Sequence, residues 1–366
     1  MKIAFVHFPG RLARLEAARA GEGPSEFLFG AVELERRGHE IAHYEVDPDA
    51  RVGPVAARVI DRSAGRGLLP PHLATATLRG TRALRRELRR ADIVVGSTTG
   101  TAMALATWRA AGLVRRPLVG IVAGLVNNPW RRARKLTALR LLLRMHAVLY
   151  GVGELQPLLE RAPRLAGRVH VNAFGVDTEF WTPGEGVRSD YVLAIGNDGH
   201  RDWETLLDAA RDIPTAVRVY TRRPAPPALP PNVTWHDADW HRRVLSDEEV
   251  RELFRRAAVV AVPVKDVPQP SGQSVTLQAM ACGRPVVLTR TRGLWDPTSL
   301  HDGGDVSFVP PNDAGALAAA VTDLLGDGPR AMAMGAAARS SVLRCATVDA
   351  YADRLEQICR AAVDDP

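Results

Sequence analysis

The chain has 366 residues, 46% hydrophobic and 24% charged, with a formal net charge of +7. That composition suits a soluble globular protein of two domains and excludes a disordered or collagen-like chain. No apolar run approaches the ~18 residues that cross a bilayer. The start, MKIAFVHFPG, reads directly as a strand and lacks a leader's apolar stretch and cleavage site, so secretion is not expected. Charge is uneven: residues 1–183 hold 28 Lys and Arg against 16 Asp and Glu, and residues 184–366 hold 20 against 25. Between Ile93 and Gly153 no acidic residue occurs. Such asymmetry points to two domains with different partners; the basic one suits an anionic membrane, a nucleic acid or a phosphorylated substrate, and equally fits arginines that only decorate solvent-facing helices.

In chain order, Lys2–Phe8 reads as a buried strand and Pro24–Arg37 as a helix stopped by Gly38. Ile41–Val46 is a second strand, Leu78–Arg90 a basic helix and Ile93–Val95 a third strand, followed by a small-residue turn, GSTTG. Leu118–Val122 is a strand, Arg131–His146 a basic helix, and Ala147–Tyr150 and Val169–Val171 are strands. The polar stretch Thr182–Asp190 is the linker candidate. Alternation then resumes with strands at Tyr191–Ile195, Val217–Tyr220, Val233–His236, Val259–Val262, Val286–Leu288 and Val306–Val309. Helices are expected over 203–211, 247–257, 274–282, 314–325, 330–343 and 348–363. Alternating strands and helices imply parallel sheets covered on both faces. The fold class is α/β: two Rossmann-like, doubly wound domains over 1–183 and 184–347. The last helix, 348–366, is expected to pack back on the first.

Three cysteines, Cys282, Cys345 and Cys359, exclude a disulfide scaffold and form no C-x-x-C pair. His39-Glu40-Ile41-Ala42-His43 matches H-E-x-x-H by letter, yet it runs into a strand, where residues four apart do not converge as on a helix. No zinc site is expected. No G-x-G-x-x-G follows the first strand, and GSTTG lacks the GK[ST] of a phosphate loop. Most informative is the segment after Val259–Val262. There a polar loop leads to Ser271, placed as N-cap of a helix ending at Gly283. The N–H groups of Gly272, Gln273, Ser274 and Val275 would then form a positive helix end suited to a phosphate or pyrophosphate.

The segment PSGQSVTLQAMACGRPVV resembles the donor-binding motif of retaining GT-B glycosyltransferases of glycosyltransferase family 4. Glu33–Glu45 is similar to the family's first helix and second strand, and Val171–Pro183 to its segment before the interdomain hinge. Tyr191–Ala210 stands where the family has the first strand and phosphate-gripping loop of its C-terminal domain. The resemblance implies a GT-B fold whose two domains face across a cleft, with the donor on the second. It implies transfer of a hexosyl unit from a UDP-, GDP- or dTDP-sugar to an acceptor hydroxyl with retention. Gly196, Asn197, Gln269, Ser271, Gly272, Gln273, Ser274, Val275 and Gln278 become donor-site candidates. Gly21, Gly23 and Ser25 are candidates on the acceptor or diphosphate side. Ser25 reads equally as the cap of the first helix.

The motif is degenerate. The family's two glutamates, eight positions apart, fall here at Pro270 and Gln278, so Gln269, Gln273 or Asp266 would have to meet the sugar. The family's arginine is Asn197, its lysine aligns loosely with Arg201, and its histidine near the reacting sugar is replaced by Ala123-Gly124. Arg201 and Lys265, with the helix-end amides, are expected to hold the departing diphosphate. No metal and no cofactor are expected, because cations and amides stand where a metal would and no Asp-x-Asp occupies a site strand. The basic first half suggests a lipid-linked or cell-envelope acceptor and a cytoplasmic protein resting on an anionic membrane. The alternatives are a soluble natural-product glycosyltransferase, a nucleotide-sugar epimerase and a non-catalytic nucleotide-sugar-binding relic. Aromatics make up 5% of the chain and no nucleic-acid module is present, which argues against nucleic acid.

Overall fold

The computed structural model of the chain describes residues 1–46, 58, 62, 82–126, 132–185, 190–238 and 245–365. Its contacts divide it into two compact units. One comprises Met1–Ala20, Ser25–Ala173 and Tyr351–Pro366, the other Gly21–Pro24 and Phe174–Ala350.

In the first unit, β1 (Lys2–His7), β2 (Glu40–Glu45), β3 (Ile93–Gly96), β4 (Leu118–Val122), β5 (His146–Leu149) and β6 (Val169–Val171) form one sheet. Their order is β2-β1-β3-β4-β5-β6, and each neighbouring pair is parallel. β3, β4 and β5 are buried at every position. Burial on both faces is why they read as continuous apolar runs and not as alternation. Around the sheet lie α1 (Leu15–Ala20), α2 (Ala31–Arg36), α3 (Arg82–Leu88), α4 (Thr99–Ala110), α5 (Arg132–Leu142) and α6 (Leu155–Arg161).

Two local expectations fail here. GSTTG is not a free turn: it ends β3 and starts α4, with Thr98 as N-cap in a capping box with Thr101. α4 escaped the periodicity argument because nearly all its residues from Gly100 to Trp108 are buried, which leaves no polar stripe. Gly96 and Gly120 admit it, since a Cβ on either would lie 2.8 Å from atoms of Ala102. The helix expected over Pro24–Arg37 is broken. A 3-10 turn covers Glu26–Leu28, Phe29 and Gly30 take left-handed φ of 56° and 79°, and α2 starts only at Ala31. The break sets Gly30 against Ala352, where a Cβ would find its nearest neighbour at 3.2 Å.

In the second unit, β7 (Tyr191–Ile195), β8 (Ala216–Tyr220), β9 (Val233–His236), β10 (Val259–Val262), β11 (Val286–Thr289) and β12 (Ser307–Val309) form another parallel sheet. Its order is β12-β11-β10-β7-β8-β9. Its helices are α7 (Trp203–Ala210), α8 (Asp247–Arg256), α9 (Gln273–Ala281), α10 (Ala314–Gly326) and α11 (Gly328–Cys345). A last helix, α12 (Val348–Asp364), carries the chain from the second unit into the first. There Arg354 donates to Asn172 Oδ1 at 2.7 Å, Asn172 donates to Tyr351 O at 3.1 Å, and Arg37 pairs with Asp353 at 2.8 Å.

The contact boundary lies at Ala173/Phe174, ahead of the polar stretch chosen from composition. Trp181 explains the difference, because its ring packs edge-on against Phe254 of α8 at 5.9 Å. Arg251 adds to this by lying over the Phe180 ring at 4.3 Å. Aromatic anchors of this kind tie residues 174–183 to the second core.

Candidate functional site

In the second sheet the strand order turns between β7 and β10, and open α/β sheets take ligands at the carboxyl ends of strands beside such a switch point. Two loops meet there. After β7 comes Gly196-Asn197-Asp198-Gly199-His200-Arg201, and after β10 the run from Pro263 to Gly272. Short backbone bonds stitch them together: Lys265 N–H donates to His200 O at 2.8 Å and Asp202 N–H to Pro263 O at 3.0 Å. Arg201 itself forms an antiparallel bridge with Val264.

Arg201 is the centre of this arrangement. It is 2% exposed, although a guanidinium is seldom so buried without a partner on every side. Its Nε lies 2.8 Å from Asp198 Oδ2 as an ion pair, but neither Nε nor Nη1 has a hydrogen-bond partner among the described residues. Two glycines make room for it. A Cβ on Gly196 would stand 2.2 Å from Arg201 Nε, and one on Gly272 would stand 3.3 Å from Nη1 and 2.6 Å from Val262. No side chain fits at Gly196 while Arg201 keeps its place.

Gly272, not Ser271, is the N-cap of α9. Its φ of 74° is left-handed, which a glycine adopts without strain, and no side chain caps the helix. Ser271 was expected as the cap, but its hydroxyl instead donates to Asp198 Oδ1. The first-turn amides of Gln273, Ser274 and Val275 lack intrahelical acceptors, as in any α-helix. They lie at the end of α9 nearest Arg201 Nη1. Burial works to raise the Asp198 carboxyl, but Arg201, the Ser271 hydroxyl and the His200 amide outweigh it and hold the group below the usual carboxylate range.

The other donor-side candidates divide into two groups. Gln269 lies beside the loop, its Oε1 3.3 Å from His200 Nε2, and Lys265 projects an exposed ammonium. Gln273 and Gln278 are 7% and 5% exposed. Two residues have other duties. Asn197 donates to Ala238 O and accepts from Arg222 N–H, each at 2.6 Å, so its amide braces the loop. Asp266 accepts from Arg292 N–H at 2.8 Å and Arg292 Nε at 2.9 Å.

In the first unit, Ser25 is fully buried and its hydroxyl donates to Glu33 Oε1 at 2.6 Å, so it is not the cap of α2. Gly21 and Gly23 fall in the second unit instead: Gly21 is exposed with φ 73°, and Gly23 is buried. Ala123 and Gly124 offer only backbone: their N–H groups donate to Thr99 Oγ1 at 2.9 Å and to Glu154 Oε2 at 3.1 Å. The H-E-x-x-H letters do not converge. His39 Nε2 faces Glu356 at 3.1 Å, while His43 Nε2 faces Glu35 at 3.1 Å and its Nδ1 faces His7 Nε2 at 3.1 Å. Among the described residues no group of three or more His, Cys, Asp or Glu is placed to hold a metal ion. Nor is any of their helices long and apolar enough to cross a membrane.

Sequence reasoning overlooked Asp198 and His200, which hold the loop around Arg201. The only signal for them was the polar, glycine-flanked string GNDGHR, whose side chains take their roles only when the β10 loop is alongside.

Residues 191–327, which contain this site, match the family model described as Glycosyl transferases group 1. The chain is 32% identical over 184 residues to a D-inositol 3-phosphate glycosyltransferase of Acidothermus cellulolyticus, covering 49% of this chain and 34% of that protein. It is 30% identical over 221 residues to an alpha-maltose-1-phosphate synthase of Mycolicibacterium smegmatis, covering 52% of this chain and 55% of that one. The chain thus spans only part of these relatives. Among solved structures, the sucrose-phosphate synthase of Thermosynechococcus elongatus superposes with a TM-score of 0.72 at 17% identity, covering 100% of this chain and 99% of that one. Anabaena HepE, solved with UDP and glucose, superposes with a TM-score of 0.68 at 15% identity over 98% of both chains. With both parallel sheets in place, these likenesses give the chain the GT-B fold, and its second unit carries the match to the group 1 glycosyl transferases.

Proposed function

We propose that the protein is a retaining hexosyltransferase of the family 4 type, which moves a hexosyl unit from a nucleotide-diphosphate sugar to an acceptor hydroxyl. The observation that carries this reading is the buried Arg201, with Nη1 unpartnered among the described residues, beside the uncapped start of α9 at a sheet switch point. A guanidinium and a helix N-terminus are both anion ligands, and neither needs a carboxylate partner to bind a diphosphate.

In the reaction the bond from the sugar's anomeric carbon to the diphosphate oxygen breaks, and the acceptor oxygen bonds to that carbon on the same face. The acceptor's proton leaves with the diphosphate. Negative charge grows on the leaving group, so Arg201, Lys265 and the amides of Gln273, Ser274 and Val275 stabilise the transition state more than the bound donor. Gln278, nearly buried on α9, is the ribose contact, with an amide in place of a carboxylate. These groups do the work asked of a metal, so transfer is metal-independent and uses no cofactor. UDP is the first nucleotide to test, since HepE was solved with it.

The acceptor is a lipid-linked or cell-envelope glycan, and the protein a cytoplasmic one held at an anionic membrane by its basic first half. This part rests on charge alone: exposed Arg132, Lys135, Arg140 and Arg144 line the α5 region. Thermal melts with UDP-, GDP- and dTDP-sugars test donor use, because a ligand of the folded state raises the melting temperature. A melt unmoved by all three would end the proposal. Binding to anionic liposomes that moderate salt reverses is the expected behaviour at a membrane, and indifference to liposomes points to a soluble acceptor.

A further inference from the structure

The anion site described above already holds an anion of the protein's own. Asp198 Oδ2 lies 2.8 Å from Arg201 Nε, and its Oδ1 accepts from the Ser271 hydroxyl and, at 3.0 Å, from His200 N–H. Cation, hydroxyl and amide are the donors that a phosphate oxygen pair would use, and a carboxylate presents two acceptor oxygens in the same way.

We infer that Asp198 is a built-in competitor for this site, so that nucleotide-diphosphate binding displaces its carboxylate and its charge sets the affinity. The inference rests on the proposed donor site. Burial supports the order of layers, because the Asp198 side chain is 35% exposed while that of Arg201 is 2% exposed. The carboxylate therefore stands on the solvent side of the guanidinium. The loop is also built to release it. Asn197 fixes one end through Ala238 and Arg222, and the bridge of Arg201 to Val264 fixes the other. Gly199, between them, has open space around it. A rotation of the Asp198 side chain towards that open side would free the guanidinium and leave both anchors in place. Arg201 Nε and Nη1 are both buried and have no hydrogen-bond partner among the described residues, so a diphosphate reaches them once the carboxylate has moved aside and supplies the acceptors they lack.

A purely structural role competes with this one. The bond from His200 N–H to Asp198 Oδ1 closes an Asx turn, and that turn alone could account for an aspartate. Asparagine closes the same turn without the charge, so Asp198→Asn separates the two roles. Asp198→Ser, which also supports a turn, is the second variant should the first fold poorly.

Calorimetric titration of the full-length protein with UDP, and separately with inorganic pyrophosphate, is the test. Both variants are expected to bind each probe about tenfold more tightly than the wild type at low ionic strength. Binding by the variants where the wild type is silent supports the inference as well. Equal or weaker binding by folded variants, with the wild type still binding, overturns it and makes Asp198 a positioning residue for Arg201. No binding of either probe by any of the three proteins removes both the inference and the donor site on which it rests.

Discussion

Gly196 lies against the Arg201 guanidinium so closely that a Cβ would stand 2.2 Å from Nε and 2.5 Å from Cζ. The glycine is therefore a spatial requirement of the buried cation. Gly196→Ala must push Arg201 away from Asp198 and the α9 terminus, at a cost of about 1–3 kcal/mol, as for overpacking elsewhere. The expected outcome is a lower melting temperature together with weaker UDP binding. A variant with unchanged melting and unchanged binding would show that Arg201 has another place to go.

Arg201→Ala is expected to weaken donor binding and turnover at least about tenfold, the scale of losing a charge-assisted contact of about 1.4 kcal/mol or more. Arg140→Ala, on the exposed face of α5, should leave both unchanged within error in a soluble assay. Equal effects from the two would take Arg201 out of the site.

On the proposed reading, cations and helix amides hold the departing diphosphate and no metal is needed. Transfer measured after EDTA treatment is expected to match untreated protein, and added magnesium or manganese to change it little. Loss of activity in EDTA with recovery on adding either ion would refute metal independence.

His7 gives a pH dependence of stability. Burial, then the neighbouring His43 and Arg11, push its imidazole from the ordinary value down to about 3. In the unfolded chain it protonates near the usual 6.5. Between those values the unfolded state binds the extra proton, so stability is complete above about 6.5 and falls as the pH drops towards 3. The slope from this one group approaches about 1.4 kcal/mol per pH unit. Denaturant unfolding from pH 7 to 4 should show a shallower fall for His7→Phe than for the wild type. Parallel curves would mean that His7 protonates without disturbing the fold.

Much of the architecture was legible because parallel strands buried on both faces have to be long runs of Val, Ile, Leu and Ala. β4, β7 and β10, buried at every position, carry the bounds read from the residues, and so do the part-exposed edge strands β6 and β9. α4 was missed for the mirror-image reason: a helix buried all round has no stripe to read. The break at Phe29–Gly30 was also hidden. Phenylalanine gives no hint of a left-handed conformation, and the contact that uses the break comes from Ala352, more than three hundred positions away.

The site divides along the same line. Chemistry local to one loop could be read: a polar segment opening a helix after a strand, with an arginine in the other expected loop. Which group capped that helix, and what Ser271 and Asp198 did instead, depended on atoms brought together from two loops more than seventy residues apart. Residue order alone determined the two α/β sheets and the helix that begins beside Gly272, because both follow from burial patterns and backbone freedom within a few residues. Only the folded chain decided that Arg201 would be buried with Asp198 on its solvent side, because a hydrogen bond is a matter of ångströms between groups that the sequence keeps far apart.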